Sequence, residues 1–132
     1  MNGPAAARRV RVLVCEDSPE LRALVADELA RHPELDVAGQ AGTARDAVAL
    51  AAETQPDVVL LDLLMPGAEP EVLVLDIARC APNAALAIFS GRAGETLTES
   101  ARNVVAAELE KTTPLDVVAA RLAELGHAGT PR

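Results

Sequence analysis

A chain of 132 residues, half of them apolar, suits one domain with a real core and leaves little room for a second. Its 20 acidic and 12 basic side chains leave a net charge of −8. Without a basic run, that balance argues against direct nucleic-acid binding, which needs Lys and Arg to displace counterions, and against an anionic membrane surface.

No apolar run approaches the ~20 residues of a membrane span, and Met1 to Ala7 lacks the basic start and apolar centre of a signal peptide. A cytoplasmic protein is expected. Arg9 to Cys15 (RVRVLVC) alternates and then turns apolar, predicting a first strand with Glu16 and Asp17 at its carboxyl end. Ser18 is a good N-cap and Pro19 fits the first position of a helix running to about Arg31, where Leu21, Leu24, Val25 and Leu29 recur at helical spacing. His32 and Pro33 end it. Leu35 to Ala41 is a weaker second strand suited to a sheet edge. Thr43 caps the next helix, whose stripe of small residues is Ala44, Val48 and Ala51, and Gln55 and Pro56 close it.

Val58 to Leu61 is an unbroken apolar run too short for a helix and rich in β-branched residues, which predicts a strand buried on both faces. Asp62 stands at its end, and Met65, Pro66 and Gly67 turn the chain. Taken singly, Asp62 reads as a turn or capping aspartate. A helix from about Glu71 to Cys80 is expected to pack through Leu73, Ile77 and Cys80 before Pro82 stops it. Ala85 to Phe89 is a fourth strand delivering Ser90, Gly91 to Gly94 a loop, and Glu95 to about Arg102 a weak, charged helix. Val104 to Leu109 is a fifth strand ending near Lys111. Thr113 caps and Pro114 opens a last helix with Leu115, Val118, Leu122 and Leu125 on its core face, stopped by Gly126. Residues 1–8 read as a disordered end, 9–126 as the domain, and 127–132 as a tail or the opening of a linker. Cys15 and Cys80 belong to no CxxC pair and have no ligand-spaced His, so both read as buried thiols.

Five strands alternating with helices at short connections imply parallel pairing with right-handed crossovers, hence a three-layer, doubly wound α/β domain. All carboxyl ends of such a sheet face one way, so Glu16, Asp17, Asp62, Ser90 and Lys111 share one edge, where open α/β folds place their ligands. Close carboxylates repel by ~4 kcal/mol per pair at ~4 Å and an effective dielectric of ~20. A positive group belongs among them. Carboxylates with water suit Mg²⁺, and Lys111, the single lysine of the chain, supplies a second charge. A divalent ion, an ammonium, a hydroxyl and a strand-end carboxylate together resemble a device for transferring a phosphoryl group to Asp62. The blander reading is a structural salt bridge with Ser90 as a turn residue.

The acidic pair Glu16-Asp17, the DLLMPG run from Asp62, Ser90 after an apolar strand, and Lys111 follow the order and approximate spacing of response-regulator receiver domains, which the chain resembles from roughly Arg9 to Leu125. The resemblance implies a flavodoxin-like fold with strand order 2-1-3-4-5. It implies a domain that is not an enzyme in its own right but a phosphoacceptor in two-component signalling. Asp62 would take the phosphoryl group from a histidine kinase or phosphotransfer protein. Asp17, Asp62 and the main-chain carbonyl of Leu64 would bind Mg²⁺, with Glu16 acting through water, while Lys111 and Ser90 would engage the phosphoryl group. The output would be a further domain or partner protein, and a homodimer is compatible with the family. The stretch from Pro33 to Asp62 looks most like receivers that precede a helix-turn-helix output domain.

Three positions depart from the family pattern. Thr112 follows Lys111 where a proline in cis is usual, Pro70 stands where glycine commonly follows the MPG turn, and Glu108 replaces a Tyr or Phe three residues before the lysine. Two other readings compete: a receiver-like interaction module that signals without phosphate, and an Asp-nucleophile, Mg²⁺-dependent phosphatase. The second would want a D-x-D motif after the first strand, and Glu16-Asp17 is not one.

Overall fold

Four apolar residues in a row are stable in a strand only where both of its sides are covered, and Val58–Leu61 forms the central strand of a five-stranded parallel sheet, every side chain buried. The computed structural model describes residues 8–91 and 97–128. Its elements alternate without exception: β1 (Val10–Cys15), α1 (Pro19–Ala30), β2 (Leu35–Ala41), α2 (Ala44–Thr54), β3 (Val58–Leu61), α3 (Pro70–Cys80), β4 (Ala85–Ser90), α4 (Glu99–Arg102), β5 (Val105–Glu110) and α5 (Leu115–Ala128). The strand order is β2-β1-β3-β4-β5 with all pairs parallel, as expected of a flavodoxin-like receiver, and β2 does lie at an edge.

The sheet separates two cores. Because side chains alternate along a strand, Leu13, Val59, Leu61, Leu86 and Ile88 meet α2 and α3 on one face, whereas Val12, Val14, Leu60, Ala87 and Phe89 meet α1 and α5 on the other. Helix starts follow their caps. The Ser18 hydroxyl accepts from Leu21 N with Pro19 opening α1, and the Thr43 hydroxyl accepts from Asp46 N at α2. Gln55 ends α2 in a left-handed conformation (φ 45°), its side chain donating to Ala52 O and Cys80 O. Gly67, at φ +110°, supplies the turn after β3 that a larger residue would adopt only with strain.

Several local expectations need correction. Gly126 does not stop α5, which continues to Ala128; a Cβ at that position would run into Val10, so glycine here admits a close approach of helix to β1 rather than a cap. Cys80 is half-buried while Val74, not singled out, is buried, because the α3 face turned to the sheet is Leu73, Val74 and Ile77. The buried stripe of α2 is Ala44, Ala47 and Ala51, with Val48 half-buried beside it. Arg8, assigned to the loose end, pairs with Asp57 at 3.0 Å. The expected start of α4 at Glu95, most of the Gly91–Gly94 loop, residues 1–7 and residues 129–132 lie outside the described residues.

Candidate functional site

The ladder of the sheet runs one residue beyond its strands at the carboxyl edge, and this places the polar side chains. Glu16 N donates to Ala41 O (3.0 Å), Asp62 N to Cys15 O (2.9 Å) and Lys111 N to Ser90 O (2.7 Å). Glu16, Asp62 and Lys111 are therefore each held by the last carbonyl of the neighbouring strand. Asp62 and Lys111 line a cleft of about 190 Å³ together with Asp17, Leu63, Leu64, Ser90 and Gly91, and Glu16 is buried behind it against Lys111.

Lys111 Nζ lies 2.9 Å from Glu16 Oε1 and 3.3 Å from Asp62 Oδ2, and 5.8 Å from the centre of the Phe89 ring, close enough for a cation–π contact. Glu16 and Asp62 are 1 % and 2 % exposed, a depth at which carboxylates need compensation. Part of it is local: Ser18 N donates to Glu16 Oε2 and Leu64 N to Asp62 Oδ1, each at 3.0 Å. The other oxygens are less well served. Among the described residues no donor reaches Glu16 Oε1 or Asp62 Oδ2 in hydrogen-bond geometry, so each has only the ion pair with Lys111.

Titration tendencies follow this geometry. Burial pushes the Glu16 carboxyl up, against the opposing pull of Lys111, and the charge of Asp62 pushes the same way. Asp17, exposed at the mouth, is held below its ordinary range by hydrogen bonding with Asp62. Burial would lower the Lys111 ammonium, but Glu16 and Asp62 outweigh it and raise it. Cys15, just behind Glu16, is pushed up to about 12 by burial and is an inert thiol.

Ligand oxygens of Glu16, Asp17 and Asp62 all lie within 4.8 Å of one another. Three carboxyl groups face a single ammonium, and an all-oxygen donor set of this kind fits a hard divalent cation. All five residues expected at the sheet edge are thus brought together: Ser90 is buried in the cleft wall, and Leu64 lines it with a side chain 67 % exposed. The reading of the sequence has no place for Arg22, whose guanidinium donates to Glu16 O at 2.7 Å; on the charged outer face of α1 it carries no distinguishing signal.

The model of the response regulator receiver domain matches residues 12–122, which contain every one of these side chains. The chain belongs to the response-regulator receiver family. The receiver is 36% identical over 100 residues to a protein-glutamate methylesterase/protein-glutamine glutaminase of Geobacillus kaustophilus, a match covering 76% of this chain and 27% of that protein. It is 50% identical over 56 residues to the protein of the same description from Agrobacterium fabrum, 42% of this chain and 16% of that one. The chain therefore spans about a quarter or less of these relatives. Among solved structures, the response regulator domain of Thermotoga maritima CheB superposes with a TM-score of 0.77 at 28% identity, covering 92% of this chain and 96% of that one. The receiver domain of a putative response regulator NarL from Mycobacterium tuberculosis, at 24% identity and a TM-score of 0.80, shares the fold.

The departures from the family pattern have visible consequences. No peptide bond among the described residues is cis, so the Lys111–Thr112 bond is trans, and Pro70 opens α3 as its first residue. Glu108 points outward from the edge strand β5, its side chain 39 % exposed and 4.0 Å from Arg102. No helix among the described residues is long and apolar enough to cross a membrane.

Proposed function

We propose that this receiver accepts a phosphoryl group on Asp62 from the phosphohistidine of a histidine kinase or phosphotransfer protein and relays the event to an output domain or partner protein. The observation that carries this reading is Asp62 itself: a buried strand-end carboxylate with Oδ1 held by Leu64 N and Oδ2 facing the Lys111 ammonium, at the wall of an open cleft. A carboxylate oxygen of Asp62 attacks phosphorus as the P–N bond to the donor imidazole breaks; the bond pair stays on that ring nitrogen, and the ring leaves as neutral imidazole because its other nitrogen carries a proton. Lys111 offsets charge on the transferred group, and the Ser90 hydroxyl, in the cleft wall, would donate to one of its oxygens. Asp17, Asp62 and the Leu64 carbonyl would hold Mg²⁺, with Glu16 acting through water. Bound there, the ion would supply positive charge to offset that of the carboxylates and of the phosphoryl group.

Incubation with acetyl phosphate and Mg²⁺ should add one phosphoryl group by intact mass, and Asp17→Asn should require far more Mg²⁺ for the same extent, whereas Asp116→Asn, on exposed α5 surface, should not. An unmodified wild-type protein would instead favour a receiver that works as an interaction module without phosphate. Hydrolysis of the aspartyl phosphate needs a positioned water, and the aliphatic Leu64 offers it no hydrogen bond. Slow self-dephosphorylation is expected. Leu64→Asn or Leu64→Gln should shorten the lifetime of the phosphoryl group, followed by loss of mass, and an unchanged or longer lifetime would refute this role.

Glu108 shapes the output. Swinging it inward, as the usual aromatic is thought to do, would bury an unpaired carboxylate at a cost of several kcal/mol and bring it toward a new negative charge. Its exposed position beside Arg102 is the favourable one in both states, so the signal passes through the loop after Ser90 rather than through this side chain.

A further inference from the structure

Metal-ligand turns are only as well placed as the backbone beneath them, and the turn carrying Glu16 and Asp17 is stitched from three directions. Glu16 N donates to Ala41 O at the end of β2, and the Glu16 carboxylate accepts from Ser18 N. The Glu16 carbonyl accepts from Nη1 of Arg22 at 2.7 Å, across a full turn of α1. Arg22 is half-buried with its Nη1 lying against Gly42: a Cβ there would stand 2.5 Å from Nη1, so a side chain at residue 42 would make the guanidinium shift. The guanidinium thus ties α1 to the loop after β1 and lies against Gly42 in the loop after β2.

We infer that Arg22 is a positioning residue for the Mg²⁺ site, holding the Glu16–Asp17 peptide through the Glu16 carbonyl so that the Asp17 carboxylate faces the cleft, and that Gly42 is the complementary half of this device. The inference rests on the proposed Mg²⁺-dependent phosphoacceptor function. Geometry and electrostatics predict opposite outcomes. A cation near a divalent-ion site weakens binding by repulsion, so if charge were its only influence, removing Arg22 would tighten Mg²⁺ binding. If Arg22 positions the turn, removing it loosens the ligand set and weakens binding, by about tenfold on the scale of partners that orient metal ligands.

The test is Mg²⁺ titration of the full chain followed by backbone amide shifts, in wild type, Arg22→Gln, Gly42→Ala and the double variant. Arg22→Gln and Gly42→Ala should each weaken Mg²⁺ binding about tenfold and, before any Mg²⁺ is added, move the amide of Asp17, which shares its peptide group with the Glu16 carbonyl. In the Arg22→Gln background, Gly42→Ala should add little, since the guanidinium it would displace is gone. Mg²⁺ affinity equal to or tighter than wild type in Arg22→Gln, or independent additive losses in the double variant, would overturn the inference. If wild type itself binds no Mg²⁺, the proposed function falls, and the Asp17 amide alone decides: unmoved in both single variants, it overturns the positioning role; moved in both and not further in the double variant, it upholds it.

Discussion

Asp62→Asn is expected to gain no detectable phosphoryl group from acetyl phosphate and Mg²⁺ under conditions that modify the wild-type receiver fully, while keeping a cooperative thermal transition. The two halves of the expectation have separate causes. Loss of modification follows because an amide oxygen is a poor nucleophile beside a carboxylate, and no other acidic side chain is placed as Asp62 is. Glu16 is buried with Oε1 against Lys111, and Asp17 is exposed at the mouth of the cleft rather than buried at a strand end as Asp62 is. Retention of the fold follows because Asn keeps the acceptor for Leu64 N, its backbone bond to Cys15 O and nearly the same volume. Intact mass and a thermal melt read the two outcomes. An Asn variant modified as fully as wild type would mean that phosphate goes elsewhere.

Lys111→Met should produce the largest change in stability, because it removes the ammonium that faces two buried carboxylate oxygens. Breaking a buried ion pair from one side costs about 3 kcal/mol, here at the lower end because Lys111 itself is 24 % exposed, which corresponds to a fall in Tm on the order of 10 °C. The pH dependence fixes the cause. In wild type burial already raises the Glu16 carboxyl. Without Lys111 the raising influences of burial and of Asp62 are opposed only by the hydrogen bond from Ser18 N. A carboxyl raised in the folded state contributes its stability below the unfolded value and loses it as pH rises through the folded value. The deficit of Lys111→Met should therefore be widest at neutral pH and shrink as pH falls toward about 4, the ordinary carboxylate range. Thermal melts across that interval measure it. A variant that melts like wild type at neutral pH would show that the two carboxylates do not depend on this ammonium.

How far the fold could be read from residues alone depended on the range of the interaction involved. The apolar run Val58–Leu61, the Ser18-Pro19 and Thr43 starts and the Gln55-Pro56 close are local chemistry, and they reappear as β3, the caps of α1 and α2, and a left-handed C-cap. Gly126 misled because a glycine near a helix end has two uses, and the distant partner Val10 decided for close packing over termination. Cys80 misled for a similar reason: helical spacing marks a face, but the orientation of α3 on the sheet puts Val74 inside and leaves Cys80 half-buried.

In the site, the sequence by itself determined which groups stand at the carboxyl edge. Alternating strands and helices with short connections allow little besides a parallel sheet, and in such a sheet Glu16, Asp17, Asp62, Ser90 and Lys111 can only share one end. Their environments were not legible, because burial and pairing are set by groups far away in the chain. Adjacent residues Glu16 and Asp17 differ by no local signal. Yet the first is 1 % exposed and raised, and the second is exposed and lowered, because the chain turns between them at the mouth of the cleft. Only the tertiary structure set Lys111 between Glu16 and Asp62 and brought Arg22 over Gly42 onto the Glu16 carbonyl. The Lys111 pairings and the approach of Arg22 to Gly42 span tens of residues of sequence and exist only once the sheet has closed its order around β3.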